Sequence, residues 1–270
     1  MASVPMITMQ QLVHDLTQLG LRAGEAVLVH TSMKALGGYI VGDAPAVVDA
    51  LIEVITPDGT LIMPTHSTNN TDPATWSRPP IPEEAWETFR NTMPPYRPAI
   101  TPSNRMGAIN ECFRTYPGEV RSDHPAFSFS AWGKHAAFVV EGQALNNSVA
   151  QESPVGKLYA LDGWVLLLGV GHDHNTSLHL AEYRANYPGK VREVNGSAML
   201  ENGQRKWVTY YDDAVAEGDF IEVGTAFEKE TKGVRVGKVA GATARLMKQR
   251  PLVDFAVQWM EAHRPASLNR

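Results

Sequence analysis

The sequence predicts an α/β protein, with an α/β/α core sheet and a small antiparallel β subdomain at about residues 193–225. Three observations lead there. Val165–Leu168 is a continuous apolar run ended by Gly169, as in a strand buried on both faces, and a polar helix start follows it. Residues 26–64 read as strand, helix, strand, one βαβ unit with parallel strands. Residues 195–211 alternate in polarity around Asn202-Gly203, a dipeptide suited to a two-residue hairpin turn.

In chain order, Ile7–Leu19 has helical spacing in Leu12, Leu16 and Leu19, and Gly20 supplies a C-cap. Ala26–His30 is a short apolar strand, and Thr31–Gly38 a loop ending in paired glycines. Asp43 caps a helix with Pro45 in its first turn, running to about Ile55. Pro57-Asp58-Gly59 then turns the chain into the strand Thr60–Pro64. Residues 65–102 form a proline-rich insertion with one helical patch, Glu83–Thr92. So long an excursion reads either as a lid or substrate wall or as a rigid surface loop. Its acids, Asp72, Glu83, Glu84 and Glu87, face either a cation or solvent.

Gly107–Arg114 reads as helical and Ala136–Gly142 as a further short element. After the Val165 strand a helix opens near Thr176, with Asp173 or Asn175 as cap. Asn195–Met199, Lys206–Tyr211 and Phe220–Val223 alternate like antiparallel strands. Val239–Lys248 and Leu252–His263 read as closing helices separated by Pro251. No internal repeat is present, and residues 1–270 are assigned to a single domain.

Composition narrows the function classes. Hydrophobic residues at 43% and charged residues at 20% are an ordinary globular balance. The net charge of −5 argues against nucleic acid as the main partner and mildly favours cationic ligands. The lone Cys112 excludes an intrachain disulfide. Without a signal-peptide pattern or an apolar run approaching ~18 residues, a cytoplasmic location and no membrane partner are expected.

The chemistry concentrates after the Val165 strand. His172, Asp173, His174, Asn175, His179 and Glu182 follow at what is the carboxyl edge of a strand, where open α/β sheets bind ligands. On a helix, His179 and Glu182 share a face, and a carboxylate beside an imidazole raises its basicity for general-base work. The Asp212-Asp213 pair is the other candidate partner. His172, His174 and His179 are also a plausible metal ligand set, although their spacing matches no specific pattern. Two strand-to-helix loops, residues 30–38 and 101–107, offer amides and hydroxyls suited to phosphate, yet neither is a GxGxxG or Walker loop.

Four blocks, HTSMKALGG (30–38), TPSNRMGAI (101–109), RSDHPAFSFSAWG (121–133) and LLLGVGHDHNTSLHLAEYRA (166–185), resemble the aminoglycoside 3-N-acetyltransferases in order and spacing. With the closing LVDFAVQWM the resemblance covers about residues 10–262. It implies a non-GNAT α/β fold, acetyl-CoA as cosubstrate, no metal, and acetylation of the 3-amino group of a 2-deoxystreptamine ring, hence antibiotic resistance. It places His30, Thr31, Ser32, Lys34, Leu36 and Gly37 on one side of the CoA and Ser103, Met106 and Gly107 on the other. His179 matches the histidine shared most widely across the family and is the candidate general base, and Glu182 matches the acid three residues on, either orienting His179 or meeting a ligand amine. Asp72, Asn175 and Asp213 are the candidate contacts to the polycationic amine.

The implied mechanism is direct transfer in a ternary complex, with backbone amides of the first loop as oxyanion donors. One departure stands out: Tyr96-Arg97-Pro98 carries Arg97 where family members often have an acid, near a cation site. The competing readings are a metal-dependent hydrolase using His172, His174 and His179, and an acetyltransferase acting on a non-antibiotic amine. Oligomeric state is not legible in the sequence.

Overall fold

The computed structural model describes residues 4–77, 79–213 and 217–264. The amino-terminal half contains β1 (Met6–Ile7), α1 (Met9–Leu19), β2 (Ala26–Thr31), α2 (Met33–Leu36), β3 (Tyr39–Ile40), α3 (Asp43–Ile55), β4 (Thr60–Pro64), α4 (Glu83–Thr92) and α5 (Ala108–Phe113). There follow β5 (Val120–Arg121), β6 (Phe129–Gly133), α6 (Ala136–Val140), α7 (Pro154–Ala160), β7 (Trp164–Leu168) and α8 (Ser177–Arg184). The chain closes with β8 (Arg192–Glu201), β9 (Gln204–Asp213), α9 (Phe220–Thr231), β10 (Val234–Val239), β11 (Ala242–Lys248) and α10 (Gln249–His263).

The central seven-stranded sheet runs β10-β11-β7-β2-β4-β6-β5. Its middle strand β2 is parallel to both β4 and β7, and the flanking pairs are antiparallel. Alternation along each middle strand splits the core. Val27, Val29, Leu166 and Leu168 pack with α1 and α3, whereas Leu28, Val165 and Leu167 pack with α8 and α10. That division puts helices on both faces of a mixed sheet, as expected. No helix among the described residues is long and apolar enough to cross a membrane.

Local chemistry accounts for the boundaries. Thr8 accepts from Gln11 N at 3.2 Å to start α1, and Gly20 ends it at φ 113°. The expected side-chain cap at Asp43 is not made; α3 begins at Asp43 itself, after Gly42 at φ 91°, with no side-chain capping bond. Asn202 and Gly203, at φ 52° and 76°, form the anticipated β8–β9 hairpin turn.

Three expectations near the C-terminal end are corrected. Phe220–Val223 is not a strand but the start of α9, because Phe220, Val223, Gly224 and Phe227 bury one helical stripe. Val239–Lys248 is not a helix. Ala242, Ala244 and Leu246 recur with period two on one face of β11, and Ala240-Gly241 turns the chain back along β10. Pro251 separates nothing; it sits in the first turn of α10, where its missing N–H costs little. The antiparallel β unit therefore ends with β9 at Asp213, and residues 214–216 of the expected subdomain lie outside the described residues.

Candidate active site

The carboxyl ends of the three parallel strands open onto one cavity of about 870 Å³. Ser32 N donates to Leu168 O at 2.9 Å, locking the end of β2 to the end of β7. Gly169 is required at the next step: its φ is +76°, and a Cβ there would lie 2.5 Å from the Ala35 Cβ.

His179 faces this cavity from the first turn of α8. Asn175 Oδ1 accepts from Ser177 N at 3.2 Å just ahead of that helix, but neither Asp173 nor Asn175 is its cap: the N-cap is Thr176, which makes no side-chain capping bond. His179 Nδ1–H donates to Glu182 Oε2 at 2.6 Å, the i,i+3 contact the sequence spacing anticipates. Glu182, at 3% exposure, is held from the other side by Arg264 Nη1 at 2.7 Å. Arg264 in turn donates to both carboxylate oxygens of Asp219 and to Tyr187 OH. Burial raises the Glu182 pKa, but bonding to His179 and the nearby Arg264 charge outweigh it and hold the carboxyl below its ordinary value. Glu182 is thus an anion at neutral pH, which fixes the His179 proton on Nδ1 and leaves Nε2 the basic nitrogen. The Phe220 ring packs on this imidazole at 4.9 Å between centroids.

Besides the exposed His174, two further imidazoles line the cavity. Burial holds His30 neutral, with its pKa lowered to about 3, and the charges of His174 and His179 add to the effect. Burial likewise lowers His66 to about 3. The His66 ring stands edge-on to Phe127 and Phe129 at 5.4 and 5.0 Å.

The hairpin supplies an acidic wall. Register places Glu193 opposite Asp212, and both line the cavity with Asp213 and, from the other rim, Asp173. Burial pushes Asp212 up to about 6, against hydrogen bonds from Ser148 that lower it. Ser148 N reaches the Asp212 carboxylate at 3.2 and 3.3 Å, and the hydroxyls of Ser148 and Tyr183 donate to it as well. Arg105 brings a positive charge to the lining beside Met106 and Gly107.

Of the residues singled out in the sequence, His30, Thr31, Ser32, Met106, Gly107, Asn175, Asp213 and His179 come together on this cavity. Others lie off its lining. Lys34 and Gly37 are exposed beyond it, and Leu36 is fully buried in the α1–α3 core. Ser103 is spent on Glu111, by Oγ at 2.6 Å and N at 3.0 Å. Asp72 is clamped by Arg90 through two 2.9 Å bonds. Arg97 is exposed and off the lining, so its charge does not enter the cavity wall.

The proline-rich segment mainly buttresses the hairpin. Tyr96 N donates to Ala198 O, Arg205 to the carbonyls of Met93 and Arg90, and Asp72 N to Asn195 Oδ1. Only its start, at His66, reaches the cavity lining. His66, Glu193, Ser148 and Arg264 carry no motif; a position relative to β4, to the hairpin register or to α10 is what gives each its place.

The three histidines of the metal reading take separate partners. His172 Nε2–H donates to Glu228 Oε1 at 3.0 Å, and Asn175 Nδ2 donates to His172 Nδ1 at 3.3 Å. His174 pairs with Asp173 at 3.0 Å and is 59% exposed, while His179 is held by Glu182. Among the described residues no group of three His, Cys, Asp or Glu side chains is placed to hold a metal ion.

Residues 28–261 match the profile of the aminoglycoside 3-N-acetyltransferase family. The chain is 44% identical over 253 residues to the SPbeta prophage-derived aminoglycoside N(3')-acetyltransferase-like protein YokD of Bacillus subtilis (strain 168), covering 93% of this chain and 92% of that one. The YokD crystal structure superposes with a TM-score of 0.93 over 97% of this chain and 96% of that chain, at 42% identity. AAC-VIa bound to sisomicin gives a TM-score of 0.86 at 30% identity, covering 96% and 98%. AAC-IIIb in a binary complex with CoASH gives 0.86 at 26% identity, covering 98% and 100%.

Proposed function

The chain belongs to the aminoglycoside 3-N-acetyltransferase family, and we propose that it transfers acetyl from acetyl-CoA to the 3-amino group of a 2-deoxystreptamine aminoglycoside, with His179 as general base. The observation that carries this reading is the His179–Glu182 pair on a cavity lined by four carboxylates and by Arg105.

The residues present suit such a cosubstrate. Arg105 complements phosphate charge, and at Gly107, φ +87°, no atom lies within 4 Å of where a Cβ would stand, so the backbone is open to a ligand. Thr31, Ser32 and Met33 line the same cavity, Thr31 bonded to Asn110 of α5 at 2.9 Å. When bound, acetyl-CoA contributes an acetyl group activated as a thioester.

The protein's share of the chemistry follows from the charges. An amine is protonated in neutral water and gives one proton to solvent before it can attack. Asp173, Glu193, Asp212 and Asp213 attract the ammonium groups of the acceptor. His179 accepts the proton of the attacking nitrogen at Nε2, and Glu182 stabilises the imidazolium that results. The same imidazolium then protonates the leaving thiolate. Cys112 packs against the α1–α3 core, off the cavity lining, and burial pushes its thiol pKa up, which favours direct transfer over an acyl-cysteine route.

Thiol release from acetyl-CoA, measured with a panel of aminoglycosides, an amine-free blank and an EDTA arm, tests the reading. Acceptor-dependent release insensitive to EDTA is expected. Release with simple polyamines but with no aminoglycoside would replace the acceptor class, and release abolished by EDTA would overturn the metal-free mechanism.

A further inference from the structure

Two polar atoms on the cavity are unexplained by that mechanism. Among the described residues, His30 Nε2 and His66 Nε2 are buried and have no hydrogen-bond partner. An unpaired buried polar atom costs about 1–3 kcal/mol, so each such atom in a native fold calls for a partner: a water, an ion or a ligand. His30 is only 5% exposed, and its ring lies on the sheet face of Leu28, the face covered by α8. His66 lies two residues beyond β4, the strand next to β2. Both line the cavity that His179 faces.

Several of the alternative donors are already committed. In the loop after β2, Ser32 N is bonded to Leu168 O, Ala35 N to Ser32 O, and Gly37 N to Lys34 O. Those amides cannot turn to a substrate without unwinding α2.

We propose that His30 and His66, as neutral imidazoles, donate hydrogen bonds from Nε2 to the carbonyl oxygen of the acyl group during transfer. This rests on the acetyltransferase reading. As the amine nitrogen bonds to the carbonyl carbon, the π pair moves onto oxygen, and the two Nε2–H groups stabilise that oxyanion without losing their protons. His179 holds the proton from the nitrogen. The C–S bond then breaks as the pair returns from oxygen, and the thiolate receives the proton from His179. A neutral ring suits the task, because a donor that stays bound to its proton acts by polarisation alone. The low pKa values of both rings agree with that state.

Two measurements decide it. In 15N-histidine NMR of the ligand-free protein at pH 6, both rings should be neutral with Nε2 protonated; a charged ring or the Nδ1–H tautomer at both positions overturns the assignment. In kinetics, His30→Phe and His66→Phe should each lower kcat by about 10²–10³-fold. KM for acetyl-CoA and for the amine should stay within about twofold, and His30→Gln and His66→Gln should recover part of the rate. Folding is checked by thermal melting, and where a Phe variant does not fold the Gln variant of that position, with kcat lowered and KM unchanged, carries the test. Native-like kcat in folded variants, or a loss confined to KM for the amine, overturns the proposal. Absence of thiol release by the native protein with every amine would instead overturn the acetyltransferase reading itself.

Discussion

Asp212 ties the acceptor site to pH. Its carboxyl is pushed up to about 6 by burial, so it is charged at pH 7.5 and protonated at pH 5. An acceptor bearing ammonium groups loses that attraction as pH falls through 6. KM for the amine is therefore expected to rise about tenfold between pH 7.5 and 5, equivalent to roughly 1.4 kcal/mol. Asp212→Asn should show the raised KM at both pH values, with the pH step between them removed. An unchanged pH step in that variant would assign the titration elsewhere. Of the residues at this site, His179 and Glu182 are legible in the sequence, because i,i+3 spacing on a helix is a local property. Arg264 is not, since its contact with Glu182 spans 82 residues.

The element that holds the site in place is α9. His172 lies against Gly224 of this helix, is bonded to Glu228 one turn further on, and receives a bond from Asn175, which also accepts from Ser177 N at the start of α8. A Cβ at Gly224 would come within 2.0 Å of the His172 ring. In an open helix Gly→Ala gains about 1 kcal/mol, but here Gly224→Ala should lose about 1–3 kcal/mol by overpacking. A thermal melt reads the sign directly, and a stabilised variant would mean that His172 is free to move. The same element marks a limit of sequence reading. Four residues, Phe220–Val223, alternate like a strand, and only the continuation to Gly224 and Phe227 reveals period 3.6. The mistake at β10–β11 has a related origin, because short Ala- and Val-rich runs satisfy both periods until the partner strand is known.

Across the whole molecule, three parallel strands deliver one histidine region each to a single cavity. His30 comes from the end of β2, His66 from beyond β4, and His179 from the helix after β7. The antiparallel hairpin, braced by the proline-rich segment, closes that cavity with carboxylates. The βαβ core was legible because apolar runs and glycine breaks are written locally, whereas the acidic wall depends on pairing Glu193 with Asp212. On the proposed function, all three strands serve one proton transfer, at His179. The measurement that tests it most directly is turnover of His179→Ala alongside binding of CoA to the same variant. A fall in kcat of at least about 10²-fold is expected, with CoA affinity retained. Near-native turnover by a folded His179→Ala protein would contradict it.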